Sequence, residues 1–163
     1  MKTVLSLVLM GIFGLSAFAQ GTGQILGRKN PEKIPDALAY FMYFNHVGYA
    51  LDNEGKDPTM AALLLQGTGL NEVEQATLKQ IVIAHRIKQT TLENKRNSDV
   101  MAGTETAESL TAYRAARMKC TMDAVNFLLS QVSAEGAVAF KKFIQASKAN
   151  LSMDAGTEKE WGN

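Results

Sequence analysis

The sequence has 163 residues, with 17 lysine and arginine residues against 16 aspartate and glutamate residues. This balance of charge argues against a protein that captures nucleic acid or an anionic membrane surface by long-range attraction. Because Cys120 is the only cysteine, no intramolecular disulfide can form, and the fold must be stabilised by packing. A chain of this length is expected to form one domain with a substantial core.

The first 19 residues are typical of an export signal. Lys2 precedes an apolar run over residues 4–15, and Ala-Phe-Ala at 17–19 supplies small residues for cleavage after Ala19. The run is shorter than the roughly 20 apolar residues of a membrane-spanning helix. We therefore expect an exported protein, periplasmic or secreted, with no integral membrane segment after cleavage of this signal peptide.

The next segment, residues 20–33, is rich in glycine and polar residues, which predicts a flexible leader. A first helix is predicted from Pro35, whose fixed φ suits the first helical turn, to about Asn53, with Gly55 as its C-terminal cap. A second, short helix is predicted over residues 58–66, ended by the glycines that follow it.

The third predicted helix has the clearest start in the chain. Asn71 stands three residues before Glu74, an arrangement that predicts a capping box. The helix then meets no glycine or proline until Gly103. Its apolar stripe is predicted to contain Leu78, Ile81, Val82, His85 and Leu92.

A fourth helix is predicted from about Glu105 to Gln131, and a fifth after Ser133, which is a favourable N-cap. The predicted seam of the fourth helix contains Leu110, Tyr113, Arg117, Cys120, Ala124, Phe127 and Gln131. The predicted core residues of the fifth helix include Phe140, Phe143 and Ile144. The polar residues 151–163 are expected to form a disordered tail, apart from any contact made by Trp161.

Together these elements predict an all-α fold: a small, mostly antiparallel bundle of four main helices and one short helix, spanning residues 34–150. No segment shows the sustained period-two alternation that is typical of a β-strand. We therefore expect no β structure.

Three stretches carry a resemblance to known proteins: GLNEVEQATLKQI, LTAYRAARMKC and SAEGAVAFKKFIQ. Their "GL-x-x-x-E", "R-x-x-R" and "G-x-x-x-F-x-x-F" patterns, in this order over residues 63–148, resemble a group of exported, all-helical bacterial proteins of uncharacterised function. The resemblance implies the fold and the export route, and it implies no activity. The chain is also similar in type to the small, exported, helical Spy-like chaperones, although their L-T-x-x-Q repeats are absent.

Candidate site residues are His46, His85 and Cys120. His85 projects from the apolar stripe of its helix, which favours a core residue with one ring nitrogen bonded to a neighbour. His46 has a semi-polar flank, which favours a boundary residue. Cys120 lies between Ala116 and Ala124, one turn away on each side, which favours a buried thiol that behaves as a small apolar side chain.

The alternative for these three residues is a metal site with one ligand from each of three helices, which zinc would accept with a carboxylate or water as the fourth ligand. Their spacings match no metal-binding motif, so we expect no metal and no cofactor. A Cys120–His85 catalytic dyad is conceivable, but both positions lie mid-helix on apolar faces. Arg114 and Arg117 share a helix face that could bind a carboxylate or phosphate.

The expected function is therefore non-enzymatic: binding or structural support in the cell envelope, with an unknown protein or small ligand as partner and no nucleic acid. Two alternatives stay open. A chaperone-like, Spy-type protein would expose an apolar concavity. A metal-binding protein would bring His46, His85 and Cys120 within a few ångströms of one another.

Overall fold

The computed structural model describes residues 24–55 and 58–161, and within them the fold is mostly helical. The predicted signal peptide, residues 1–19, lies outside the described residues. Five α-helices and two short strands occur in the described part: β1 (Gln24–Leu26), α1 (Asp36–Asp52), α2 (Pro58–Gln66), α3 (Glu72–Met101), α4 (Ala107–Gln131), α5 (Ala134–Ser147) and β2 (Ser152–Asp154). None of these helices combines the length and apolar character that crossing a membrane would require.

The predicted helical bundle is confirmed, and the helix bounds agree with prediction within one or two residues. The capping box at the start of α3 is present: the Asn71 side chain accepts from the Glu74 amide, and Glu74 accepts from the Asn71 amide. A second capping box, between Thr106 and Ser109, starts α4 slightly later than predicted. Ser133 caps α5 as predicted, by accepting from the Gly136 amide.

Helix α1 forms the centre of the bundle and is buried on nearly all sides. It contacts each of the other four helices. Ten of its 17 residues are buried. They are Ala37, Leu38, Ala39, Tyr40, Phe41, Tyr43, Phe44, Val47, Gly48 and Ala50.

The buried face of α4 differs from the predicted seam. Thr121, Val125 and Leu128 are its buried residues, whereas Phe127 is 57% exposed. In the second half of the helix each predicted seam position falls one residue before the buried one, because apolar residues there are spread nearly uniformly around the helix axis. The prediction that Phe127 lies in the core is therefore wrong, while Phe140, Leu78 and Val82 are fully buried as predicted.

The expectation of no β structure is corrected at both ends of the described chain. β1 pairs antiparallel with β2, with Gln24 opposite Asp154 and Leu26 opposite Ser152. Gly27 continues this contact, because its amide donates to the Leu151 carbonyl over 2.8 Å and a Cβ there would lie 1.8 Å from the Lys148 carbonyl oxygen. The described part of the predicted leader, residues 24–33, is therefore attached to the rest of the fold.

The predicted disordered tail is also corrected. Leu151 and Met153 are buried, and a 3₁₀ turn at Glu158–Trp161 packs on α4 and α1. Arg114 pairs with Glu160 over 2.7 Å, and the Trp161 ring lies 5.0 Å from the Phe41 ring. Ordered contacts therefore extend beyond residues 34–150 on both sides: strand pairing holds the N-terminal segment, and aromatic and ionic contacts hold the C-terminal one.

Helices α3 and α4 form a long antiparallel hairpin that has two different halves. In the hairpin base, Glu72–Gln89 and Thr121–Gln131, several side chains are buried, both helices contact α1, and α3 also contacts α2. In the hairpin tip, residues 90–120, no side chain is fully buried. An ion pair between Arg96 and Glu105 (2.8 Å) and the Arg96 guanidinium, 5.2 Å from the Tyr113 ring centre, connect the two helices there.

Candidate functional site: the His85 cavity

His85 lies at the upper end of the hairpin base and is 1% exposed, as predicted for a core residue. Its position follows from α3 itself, because residues 78, 81, 82 and 85 fall on one face of a helix with 3.6 residues per turn. The ring packs edge-on against Phe44 of α1, with centres 5.2 Å apart.

The other neighbours of the His85 ring are polar. The His85 Nε2 atom lies 3.0 Å from the Thr121 hydroxyl oxygen and 3.1 Å from the Gln89 amide nitrogen. The Gln89 amide also donates to the Arg117 carbonyl over 3.1 Å. A histidine, a glutamine and a threonine thus form a buried polar cluster between α3 and α4.

Three side-chain atoms at this cluster are buried without a hydrogen-bond partner in the described chain: His85 Nδ1, Gln89 Oε1 and Arg117 Nε. Buried polar atoms are normally paired, and leaving one unpaired costs about 1–3 kcal/mol. All the unpaired buried side-chain atoms found in the described residues therefore concentrate at one place in the fold.

The neighbours of His85 allow two tautomers. If both amide hydrogens of Gln89 are used, one bonds the Arg117 carbonyl and the other bonds His85 Nε2. Nε2 then accepts, so the ring proton lies on Nδ1, which becomes an unpaired donor. In the other tautomer Nε2 donates to Thr121, and Nδ1 is an unpaired acceptor.

A cavity of about 300 Å³ opens beside His85 between α3 and α4, and we call it the His85 cavity. It is lined by Gln80, Ile81, Ala84, His85 and Lys88 from α3 and by Cys120, Asp123, Ala124 and Phe127 from α4. Its volume is at the lower end of the roughly 300–1,000 Å³ found for small-ligand sites. The arrangement combines apolar walls with a small number of polar groups, as such sites do.

The protonation states of the two reactive side chains follow from burial. Burial, reinforced by the charges of Arg117 and Lys88, lowers the pKa of His85 to about 4, so the ring is neutral at neutral pH. Burial raises the pKa of the Cys120 thiol, and nearby Lys88 only partly opposes this. Since the thiolate is the nucleophilic form of cysteine, this thiol is not activated.

The three candidate residues predicted from the sequence do not converge as one site. His85 and Cys120 share the His85 cavity, but His46 is not among its lining residues. Cys120 is half-buried and not fully buried, which corrects the predicted burial. His46 is half-buried on α1, and burial lowers its pKa. Among residues 24–55 and 58–161, no group of three or more His, Cys, Asp or Glu side chains is arranged to hold a metal ion.

The two arginines of the predicted anion-binding face are used separately. Arg114 pairs with Glu160. The Arg117 guanidinium lies 4.3 Å from the Phe41 ring centre and within 5.8 Å of the Trp161 ring centre. Cations stack favourably on aromatic faces, so Arg117 stabilises the attachment of the C-terminal segment.

Sequence reasoning missed Gln89, Thr121 and Lys88. Gln89 continues the stripe of His85 by one turn, and this i, i+4 spacing was the available signal. Its polar character hid it, because the stripe was followed by apolar residues alone. Thr121 gives no such signal, since its burial depends on how α4 is rotated against α3.

Comparison of the chain with protein-family models, with curated proteins and with solved structures finds no match in any of the three.

Proposed function

We propose that the chain is an exported, non-enzymatic protein that binds a small ligand in the His85 cavity. The observation that carries the proposal is the His85 cavity of about 300 Å³, whose lining joins apolar side chains to a few polar ones beside the buried cluster of His85, Gln89 and Thr121. The export signal predicted at residues 1–19 supports the proposed location, periplasmic or secreted.

The non-enzymatic part of the proposal is supported by the state of Cys120. A Cys–His dyad needs an activated thiol, whereas burial raises the pKa of this one. The Nε2 atom of His85 is already bonded to Thr121 and Gln89, and its Nδ1 atom is fully buried, so neither ring nitrogen is free to act as a base on the thiol. These features favour recognition over covalent chemistry.

The test is a binding screen with a cavity-filling variant. Ligand-observed NMR with a panel of small neutral, anionic and cationic aromatic compounds would detect binding to the purified chain. Ala124→Leu places a larger side chain in the cavity wall, and Ala115→Leu makes the same change on the exposed face of α4. We expect binding that Ala124→Leu abolishes and Ala115→Leu leaves intact.

Two results would overturn the proposal. Either no compound in the panel binds, or Ala124→Leu and Ala115→Leu bind every compound as the parent chain does. The ring signals of His85 provide a second readout, since a ligand bound in the cavity lies beside this residue and should shift them.

The chaperone-like alternative is favoured by a different observation, an apolar groove of about 340 Å³ between α1 and α3. Leu51, Ile83 and Ile87 line it, and Ile87 is 64% exposed. An ion pair between Asp52 and Arg86 stands at its side. Exposed apolar concavities are what a chaperone needs to hold unfolded clients.

This alternative is tested by the aggregation of a chemically denatured client, followed by light scattering. Under the chaperone-like alternative, the chain suppresses scattering and Ile87→Lys removes the suppression, while Val138→Lys on α5 does not. Suppression that survives Ile87→Lys would exclude the groove as the client site.

A further inference from the structure

The C-terminal 3₁₀ turn is attached to the helices through two neighbouring side chains. Glu160 pairs with Arg114 of α4 over 2.7 Å, and both of these side chains are partly exposed. The Trp161 ring centre lies 5.0 Å from the ring centre of Phe41 on α1 and 5.8 Å from the guanidinium carbon of Arg117 on α4. An acid and the aromatic ring beside it thus connect the turn to two helices.

The residues that receive the turn, Phe41, Arg114 and Arg117, form what we call the turn-binding surface. The Arg117 guanidinium lies 4.3 Å from the Phe41 ring centre and 5.4 Å from the Tyr113 ring centre, so rings of two helices orient it. Two guanidinium groups beside an aromatic ring suit a ligand that carries a carboxylate next to a second aromatic ring. Arginine and tryptophan are also among the residues that dominate the binding energy of protein interfaces.

An open hinge connects the turn to the rest of the fold. Strand β2 is held by its pairing with β1, whereas residues 154–156 after it are exposed. Gly156 has a φ of +95°, and a Cβ there would meet nothing within 4 Å in the described chain. The amide of Thr157 donates to the Asp154 carbonyl, and that of Glu160 donates to the Thr157 carbonyl, so these bonds are internal to the segment. Because an exposed ion pair contributes little stability, the turn can detach while β2 stays paired.

From this arrangement we propose that the turn-binding surface binds a segment of a partner protein in which a carboxylate stands beside an aromatic side chain. The chain's own turn covers the surface until such a segment displaces it, so Glu160 and Trp161 act as an internal competitor with the chemistry of the partner. The lining of the His85 cavity includes neither Phe41 nor the two arginines, and the two proposals are therefore independent.

The experiment supplies the turn as a free peptide, AGTEKEWGN, which has the sequence of residues 155–163. Fluorescence anisotropy follows the dye-labelled peptide as the purified chain is added at neutral pH and low salt. Trp161→Ala uncovers the surface, so this variant should bind at least about tenfold more tightly than the parent chain, in which the tethered turn competes. Trp161 is the only tryptophan of the chain, so all indole emission in the variant's complex comes from the peptide, and it should shift to shorter wavelengths on binding.

Charge variants locate the contact. In the Trp161→Ala chain, Arg114→Glu should weaken binding at least about tenfold, and a peptide that carries Glu160→Arg should restore it. This reversal separates direct pairing from a loss of fold, because a misfolded chain would bind neither peptide. Lys119→Gln is the matched control: it breaks another exposed ion pair of α4, with Asp123, and should change nothing.

A second peptide tests whether the surface accepts a foreign segment. GSGSGEWGS keeps the acidic–aromatic pair in an unrelated sequence, and GSGSGQWGS lacks the acid. The first should bind within about threefold of AGTEKEWGN, because the side-chain pair carries the recognition. The second should bind at least about tenfold more weakly.

The outcomes are distinct. If Trp161→Ala binds AGTEKEWGN no more tightly than the parent chain, or if binding survives Arg114→Glu, the proposal is overturned. Binding of AGTEKEWGN without binding of GSGSGEWGS overturns the partner and leaves the turn as an internal attachment. Should Trp161→Ala fail to fold, Glu160→Gln makes the same comparison: it should bind the peptide more tightly than the parent chain, and its Trp161 emission should shift to longer wavelengths as the turn is released.

Discussion

The base and the tip of the α3–α4 hairpin are built from the same two helices, yet the base contributes buried side chains to the core and the tip contributes none. In the base, the buried residues of α3 include Leu78, Ile81, Val82, His85 and Gln89. In the tip, no side chain between residues 90 and 120 is fully buried, and ionic and aromatic side chains connect the helices. Regular helix geometry continues through both halves, so the helix alone does not tell where the domain's core ends.

The His85 cavity lies close to the boundary between these halves. Most of its lining residues belong to the base, including His85 and, near the edge, Lys88. Cys120 belongs to the tip. The core fixes the histidine ring, and the exposed flank of the base, with Lys88 and Phe127, leaves the cavity open. A site at such a boundary combines rigid positioning with access for a ligand.

The largest expected effect concerns the buried face of α4. Leu128→Ala should cost about 2–5 kcal/mol of unfolding free energy, because Leu128 is 0% exposed and the neighbouring helices cannot fully close the space left behind. Leu110→Ala makes the same change in the tip and should cost less than about 1 kcal/mol. Urea denaturation measures both.

Phe127→Ala serves as the adjacent control in that experiment. It removes a larger side chain one residue away, and it should cost less than Leu128→Ala because the ring is largely exposed. A loss equal to or greater than that of Leu128→Ala would show that the face of α4 is assigned incorrectly.

Stability should also depend on pH through His85. Its folded pKa is about 4, whereas an ordinary histidine has a pKa near 6.5, so the unfolded chain binds more protons between these values. The free energy of unfolding should therefore fall as the pH drops through this window. The loss from His85 should reach roughly 2 kcal/mol by about pH 5. Urea denaturation at neutral pH and at about pH 5 measures it.

His85→Gln should remove most of this pH dependence, whatever its effect on stability at neutral pH. His46→Gln should remove a smaller part, since burial lowers the pKa of His46 as well. If His85→Gln lost as much stability between the two pH values as the parent chain does, the buried neutral histidine would not be the cause.

The next effect is local. Backbone amides at residues 92–100 should exchange with solvent at least about tenfold faster than those at 78–88, because opening the tip exposes little buried surface. Native-state hydrogen exchange followed by NMR measures the difference along a single helix. Uniform protection along α3 would mean that the hairpin opens only as a unit.

The smallest effect compares two helix caps. Ser133→Ala should cost about 1–2 kcal/mol, because Ser133 caps α5 and its hydroxyl also donates to Glu74 over 2.7 Å. Thr106→Ala removes the cap of α4 at the tip and should cost about 0.5 kcal/mol. Thermal melts of the two variants measure the order, and the reverse order would place the tip within the cooperative core.

Much of this fold could be predicted where the signal is local. The capping box of Asn71 and Glu74 spans three residues, so the sequence alone indicates where α3 begins. The identity of the buried α4 face could not be predicted, because it depends on the position of the other helices. The strands were missed because three residues are too short to show period-two alternation.

The candidate site was predicted in part. The burial of His85 followed from its place on an apolar stripe. The association of His85 with Cys120 and Lys88, and the separation of His46 from them, depend on the packing of α1, α3 and α4. Glu74 was predicted only to cap α3. It also accepts a hydrogen bond from the Ser133 amide, 59 residues away, which the sequence did not indicate.

The pairing of β1 with β2 has a mechanical consequence. Gln24 lies opposite Asp154, so the chain enters and leaves this short ribbon at the same edge. A pulling force applied between these two residues would peel the strands apart one rung at a time, which needs far less force than sliding them past each other. The ribbon would open first and spare the helices, so it would act as a weak link that yields before the bundle carries any load.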